Sequence, residues 1–242
     1  MVVLAALPAY AYSPTAYPGA IWTDTGRECN GVEGTYSQGF VRQGIEWTRI
    51  NNSIGIQTYA KIGWRFRGID KDYFNAYIPG AGVMFSWRDF DLGLEFSWPY
   101  YTERHEELKS NDVFFTWFRY VDLIDWDSGR LIKALPFTTW GSLAYDLLNQ
   151  DGSSTLGWVK VEADFLLLPK NFRAGVYAAY NWRLRTRNDY YYNMHGPSAG
   201  VSVGNGVMSV GAEYALSSYT EKRTDTKSLN MYFRMFQPWD LK

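Results

Sequence analysis

The sequence has little of what disulfide-stabilised, metal-binding or helical membrane proteins need. Cys29 is the single cysteine, so a disulfide framework is excluded, and His105 and His195 are the two histidines. No run of about 18 or more apolar residues is present, which excludes a transmembrane helix. The 24 basic and 25 acidic residues nearly cancel, so the strong basic excess expected of a nucleic-acid-binding protein is missing.

Aromatic residues, in contrast, are abundant. They make up 18% of the chain, with 11 Trp and 19 Tyr, while the mean hydropathy is only -0.31. A compact soluble core does not need so many Trp and Tyr residues in so polar a chain. A membrane β-barrel has a polar lumen, an apolar outer wall and aromatic girdles at both interfaces, and it would show this composition.

A long segment of the chain recurs at an offset of 118 residues. The stretch 63–83, GWRFRGIDKDYFNAYIPGAGV, returns as NWRLRTRNDYYYNMHGPSAGV at 181–201 without a gap. The stretch 101–110, YTERHEELKS, likewise returns as YTEKRTDTKS at 219–228. One register kept through both strands and loops predicts a tandem duplication, with units 7–124 and 125–242.

The dominant period within each unit is two. In 54–66, Ile, Thr, Ala, Trp and Phe residues alternate with Gly, Gln, Tyr, Lys and Arg residues, so one face of the predicted strand is apolar and the other is polar or small. The pattern predicts six strands per unit, at 17–25, 38–50, 53–67, 80–89, 91–100 and 111–122 and at 136–148, 157–168, 171–185, 198–205, 207–218 and 227–237. The sequences NNS, RDF, PKN and GNG predict tight turns that alternate with longer polar loops, while 122–136 joins the two units. Short turns at one end and long loops at the other are typical of outer-membrane barrels.

A soluble β-sandwich or a lipocalin-like barrel would show the same alternation with its apolar face inward. Three features favour a membrane wall instead. The strands are long enough to cross a bilayer when tilted, the polar face is rich in Gly and Ser, and Trp residues gather near strand ends. These are Trp47, Trp64, Trp87, Trp98, Trp158 and Trp182. The sequence therefore predicts an all-β, closed antiparallel transmembrane barrel of about twelve strands.

The first residues read as the remnant of a secretory signal peptide. An apolar run at 2–7 precedes Ala9-Tyr10-Ala11, which has the small-x-small pattern of a cleavage site. We therefore assign 1–11 to this remnant and 12–242 to one barrel domain. A secreted barrel of this kind is expected in a bacterial outer membrane.

The whole chain resembles the monomeric twelve-stranded outer-membrane proteins of Gram-negative bacteria. That group includes oligogalacturonate, sialic-acid and nucleoside channels and the outer-membrane phospholipase. The resemblance is architectural, carried by the strand pattern and its alternating turns and loops. It implies either a porin-like channel for hydrophilic solutes or an outer-membrane lipid-modifying enzyme.

The polar face carries charges that recur in the second unit, so duplicates would lie across the axis of a two-unit barrel. Arginine forks bind carboxylate or phosphate groups, and lumen charge sets selectivity. We assign to the lumen and to solute binding Arg42, Glu46, Lys61, Arg65, Arg67, Glu95, Lys160, Asp164, Arg183, Arg185 and Glu213. Alternatively, these charges pair with one another and fill a narrow lumen.

The function expected from the sequence is diffusion of small, anionic, hydrophilic solutes, with membrane lipid or lipopolysaccharide as the surrounding partner. The barrel of a polysaccharide-export complex is a further alternative. For an enzyme, His195 would need a nucleophile within hydrogen-bond reach, but Ser198 is three residues away and therefore on the opposite face of a strand. No metal-ligand spacing or phosphate-binding loop occurs, so no cofactor and no metal is predicted.

Overall fold

The fold was analysed in a computed structural model of the chain. It describes residues 14–29, 34–50, 54–68, 75–87, 90–102, 112–125, 131–146, 153–168, 172–186, 193–205, 207–220 and 226–241. The strands are β1 Pro18–Glu28, β2 Thr35–Ile50, β3 Ile54–Arg67, β4 Ala76–Trp87, β5 Phe90–Ser97, β6 Tyr100–Tyr101, β7 Asp112–Asp125, β8 Ala134–Asp146, β9 Ser153–Leu168, β10 Phe172–Arg185, β11 Met194–Gly204, β12 Met208–Tyr219 and β13 Thr226–Asp240. The two-residue β6 continues β5 along β4, so the wall has twelve long strands.

The twelve long strands pair antiparallel in one sheet, each with its neighbours in the chain. The first and last strands also pair, with Pro18 opposite Asp240 and Glu28 opposite Asn230. Because β3 pairs with both β2 and β4, every long strand has a hydrogen-bonded neighbour on both sides. The sheet is therefore a β-barrel, and the first predicted strand, 17–25, is a full member of it.

Alternate residues of each strand define two unlike faces. Apolar side chains on one face are exposed, with Ile62 at 61%, Leu94 at 55% and Val201 at 53%. Carboxylates on the other face are buried, with Glu95 and Asp164 each 4% exposed. We call these the outer face and the inner face.

An apolar outer face around a charged inner face is the reverse of a soluble barrel, and it is the arrangement of a bacterial outer-membrane β-barrel. Lipid covers the exposed Val, Leu and Ile side chains, while the polar groups of the inner face form hydrogen bonds with one another or with water. No helix among the described residues is long and apolar enough to cross a membrane.

The strand bounds give the barrel one short-turn end and one long-loop end. Links of two or three residues join β2 to β3, β4 to β5, β9 to β10 and β11 to β12 at the same end. The start of β1 and the end of β13 lie there as well. The longer links, such as those after β3 and β10, lie at the opposite end, which confirms the predicted alternation.

Two stretches that we predicted as loops are partly strand. β4 begins at Ala76 and β11 at Met194, four residues before the predicted starts. The predicted strands begin just after Pro79 and Pro197, but the Pro79 carbonyl still accepts from the Trp98 amide at 3.1 Å. A proline lacks only its own backbone N–H donor, so the other hydrogen bonds between the paired strands still form.

The prediction of Trp158 as an outer girdle residue was wrong. Trp158 shares the strand parity of Lys160 and lies opposite Asn181, which places it on the inner face. Trp64 and Trp182 do lie on the outer face near the long-loop end. Each indole donates to a hydroxyl, from Trp64 to Ser37 and from Trp182 to Thr155, at 3.2 Å in both cases.

Candidate functional site

The inner face of β3 to β5 centres on the carboxylate of Glu95. Lys61 Nζ lies 2.5 Å from Glu95 Oε1, and Ser97 Oγ donates to the same oxygen at 2.7 Å. The Tyr59 hydroxyl donates to the other oxygen, Oε2, at 3.0 Å. Glu95 and Lys61, both predicted as lumen residues, thus form a buried and fully hydrogen-bonded pair.

The Tyr59 ring reaches Glu95 by lying over a glycine. Gly82 is the register partner of both residues, so the three form one row across β3, β4 and β5. A Cβ atom on Gly82 would lie 2.8 Å from Tyr59 Cζ, closer than such atoms can approach. The absence of a side chain at position 82 therefore lets the ring lie flat against the wall.

The same row recurs in the second half of the barrel. Tyr177 donates to Glu213 Oε2 at 2.8 Å, and its ring lies over Gly200, where a Cβ atom would be 2.6 Å from Tyr177 Cζ. Each of these three residues is 118 positions after its counterpart. Glu213 was predicted as a lumen residue, and the structure places it on the inner face.

Further charges of the inner face pair within the second half and at the seam. Lys160 Nζ lies 2.8 Å from Glu162 Oε2, and the Ser202 hydroxyl donates to the other oxygen of Glu162. At the junction of β1 and β13, Arg234 Nε lies 3.3 Å from Asp24 Oδ2.

Two carboxylates near the short-turn end each hold an arginine. Glu46 is bound by Arg49 through two hydrogen bonds, of 2.9 and 2.6 Å, and Asp164 is bound by Arg173 at 3.3 Å. A β-bulge lies directly beyond each of these carboxylates, at the register shifts of β2 on β3 and of β9 on β10. Bulges redirect side chains, and here the bulge in β2 turns Arg49 to the inner face.

The predicted arginine tracks lie on β3 and β10 at the long-loop end. Arg65 Nη2 is 3.5 Å from the Tyr101 hydroxyl, and its Cζ is 5.7 Å from the centroid of that ring. Arg67 and Arg183 have the strand parity of the inner face. Arg185 ends β10, and its side chain lies outside the described residues.

Sequence reasoning missed several inner-face residues. Glu162, Arg49 and Arg173 complete ion pairs whose other members were predicted, and Asp24 and Arg234 form a pair of which neither member was predicted. Tyr59 and Tyr177 were missed because an aromatic residue on a polar face is readily interpreted as a side chain that only fills space. The signal that could have found them is the tyrosine repeated at an identical place in both units, opposite a glycine and a glutamate.

His195, for which the sequence predicted no nucleophile within reach, faces outward. His195 stacks on Tyr180 with ring centroids 6.0 Å apart and shares a 2.7 Å hydrogen bond with the Tyr180 hydroxyl. Ser198 lies on the inner face, 5% exposed, and accepts from Asn181. His105 lies outside the described residues, and within those residues no group of three His, Cys, Asp or Glu side chains could hold a metal ion.

No protein-family description and no curated protein matches the sequence. Solved structures similar to the chain include LpxR from Salmonella typhimurium, which is 10% identical with a TM-score of 0.46, over 89% of this chain and 99% of that one. The KdgM porin in complex with disordered oligogalacturonate is 10% identical with a TM-score of 0.41, over 89% and 98%. An outer membrane channel from Pseudomonas putida F1 is 8% identical with a TM-score of 0.41, over 96% and 100%. The barrel fold of the present chain is established by its own strand pairing.

Proposed function

We propose that the chain is an outer-membrane channel for small hydrophilic anions, with acidic saccharides as the solute class. The observation that supports this most is the position of Arg65, Arg67 and Arg183 on the inner face. Arg65 and Arg67 on β3 have equivalents in Arg183 and Arg185 on β10. β3 and β10 are six strands apart in a barrel of twelve long strands, so the two tracks face each other across the axis.

Facing guanidinium groups suit an anionic solute for two reasons. Each planar fork can hold a carboxylate in bidentate fashion, and a low-dielectric wall focuses the field of fixed charges into the opening. The arginines lie at the long-loop end, where a solute would enter from outside the cell. The carboxylates Glu46 and Asp164 lie toward the other end, each with its arginine partner.

Repeated inner-face contacts support the proposal that the barrel arose from two six-stranded units. The Tyr–Gly–Glu row occurs twice, at 59, 82 and 95 and at 177, 200 and 213. The indole–hydroxyl pair also occurs twice, as does the cation over a tyrosine ring. Neither unit could satisfy both of its edge strands alone, whereas two units pair their edges with each other.

The test is single-channel recording in planar bilayers under a potassium chloride gradient. The wild-type protein should conduct with a reversal potential that indicates anion preference. The variant Arg65→Ala/Arg67→Ala/Arg183→Ala/Arg185→Ala should lose that preference and become neutral or cation-selective. Arg27→Ala is the matched control, because Arg27 lies at the same end of the barrel but is exposed on the outer face, and it should leave the reversal potential unchanged.

The two alternative functions give different results in the same preparation. Bilayers that stay silent, together with a partner that copurifies in fixed ratio, would indicate an export-complex barrel. Lipid turnover that disappears in His195→Ala would indicate a lipid-modifying enzyme. Either result would overturn the channel proposal.

A further inference from the structure

The two halves of the barrel place a cation at one equivalent position. Arg42 on β2 and Lys160 on β9 are 118 residues apart. Arg42 Cζ lies 5.3 Å from the centroid of the Tyr59 ring, and Lys160 Nζ lies 5.2 Å from that of Tyr177. Both positive groups therefore lie beside the same Tyr–Gly–Glu row, one on each side of the barrel.

The surroundings of the two cations differ in charge. Lys160 is neutralised by Glu162 at 2.8 Å, whereas the residue equivalent to Glu162 is Gly44. Among the described residues no carboxylate lies within ion-pair distance of Arg42. Its Nη1 instead contacts Met84 Sδ at 3.1 Å, and a thioether is a weak acceptor that carries no charge. The first half thus keeps a positive charge that the second half cancels.

A buried acceptor lies on β3, the strand next to that of Arg42. Gln57 is only 6% exposed, and its Oε1 has no hydrogen-bond partner in the part of the chain that the structure describes. Gln57 is the register partner of Met84, which Arg42 contacts. Its Oε1 would lie 2.8 Å from a Cβ atom on Gly44, so this acceptor lies over the glycine two residues from Arg42 on β2. A buried acceptor left unsatisfied is costly and favours a ligand that brings a donor.

We propose that Arg42 and Gln57 form a solute-binding subsite on the first-half wall for a carboxylate that carries a neighbouring hydroxyl, as in a sugar acid. The guanidinium binds the carboxylate, and Gln57 Oε1 accepts from the hydroxyl. The subsite deepens the proposed function, since it gives the anion one particular wall of the channel. The second-half wall has no equivalent subsite, because Lys160 already forms an ion pair with Glu162.

The experiment is isothermal titration calorimetry of the detergent-solubilised full chain with sodium galacturonate, which needs no ion current. Arg42→Gln should weaken binding at least tenfold. Lys160→Gln removes the same charge at the equivalent position and should change the affinity less than twofold. Gln57→Leu should abolish the preference for galacturonate over cyclohexanecarboxylate, which has the carboxylate but no hydroxyl. Heat-modifiable migration on gels verifies that each variant is folded, and Arg42→Lys provides a second variant that retains the charge.

The outcomes separate this subsite from channel function. Equal weakening by Arg42→Gln and Lys160→Gln would overturn the subsite in favour of diffuse charge attraction, as would unchanged affinity in folded Arg42→Gln. Anion-selective current in either of those cases would leave the channel proposal standing. Arg42-dependent binding without any current would instead support the subsite and overturn the channel. Glu162→Gln gives an independent check, because releasing Lys160 should raise the anion preference of the current.

Discussion

Tyr59 and Glu95 meet across a glycine, with the phenol hydroxyl 3.0 Å from Oε2, and Tyr177 meets Glu213 in the same way at 2.8 Å. One strand separates the members of each pair, so each contact ties three neighbouring strands together on the inner face. Lys61 adds a charge to the first of these contacts. The rows therefore stabilise the wall of the barrel on its inner face.

The first prediction concerns the Glu95 cluster. Glu95→Gln leaves Lys61 without its carboxylate and should lower the free energy of unfolding by about 1–3 kcal/mol, since a buried group loses a charged partner. Tyr59→Phe removes one hydrogen bond and should cost about 1 kcal/mol. Urea unfolding in lipid vesicles, followed by tryptophan emission, measures both. A Glu95→Gln variant as stable as the wild type would show that the cluster does not hold the wall.

Glycine at position 82 should be required. A Cβ atom there would lie 2.8 Å from Tyr59 Cζ and 2.5 Å from the Leu94 carbonyl oxygen, so Gly82→Ala must displace the ring or the backbone. We expect a loss of about 1–3 kcal/mol of unfolding free energy. Ala81→Val is the control: Ala81 is exposed on the outer face, and its replacement should change stability by less than about 0.5 kcal/mol. Equal effects of the two variants would contradict the fit of ring over glycine.

The outer face should reject charge. Ile62 lies well inside β3 and is 61% exposed, so Ile62→Lys places an ammonium group in lipid and should destabilise the barrel by about 2–4 kcal/mol in bilayers. Leu131 is even more exposed, at 80%, but precedes β8 outside the sheet. Leu131→Lys should therefore have an effect below about 0.5 kcal/mol. If both lysines are tolerated equally in vesicle-based unfolding, lipid does not cover the outer face.

The seam between the first and last strands can be tested by cross-linking. Thr23 and Met235 are opposite each other in the pairing of β1 with β13. In a Cys29→Ser background, Thr23→Cys/Met235→Cys should form a disulfide on mild oxidation, because cross-strand partners are close enough. The denatured, cross-linked chain would migrate differently on a gel without reductant. Thr23→Cys/Val176→Cys, on strands that are not neighbours, should stay reduced, and a seam pair that also stays reduced would contradict the barrel.

Much of the barrel follows from alternation alone, because a period of two fixes which face each residue occupies. That period predicts the inner-face positions of Glu95, Lys61 and Asp164 from the sequence. Alternation does not fix which residues of neighbouring strands are opposite, since register depends on how the strands slide and bulge. The partners Arg49 and Arg173 and the stacking of Tyr59 over Gly82 depend on register. Trp158 was misplaced because tryptophan is typical of the aromatic girdle. Its position in the alternation, which indicates the inner face, was given less weight.

The glycine at position 44 also makes the two walls of the barrel unlike, because the equivalent position in the second half carries Glu162. On the proposed subsite, a sugar acid would bind off the central axis, with its carboxylate at Arg42 on β2 and its neighbouring hydroxyl at Gln57 on β3. Mirror-image forms of one acid then present different hydroxyls to Gln57. We expect the affinities of the two enantiomers to differ, because binding at both Arg42 and Gln57 fixes the orientation of the acid.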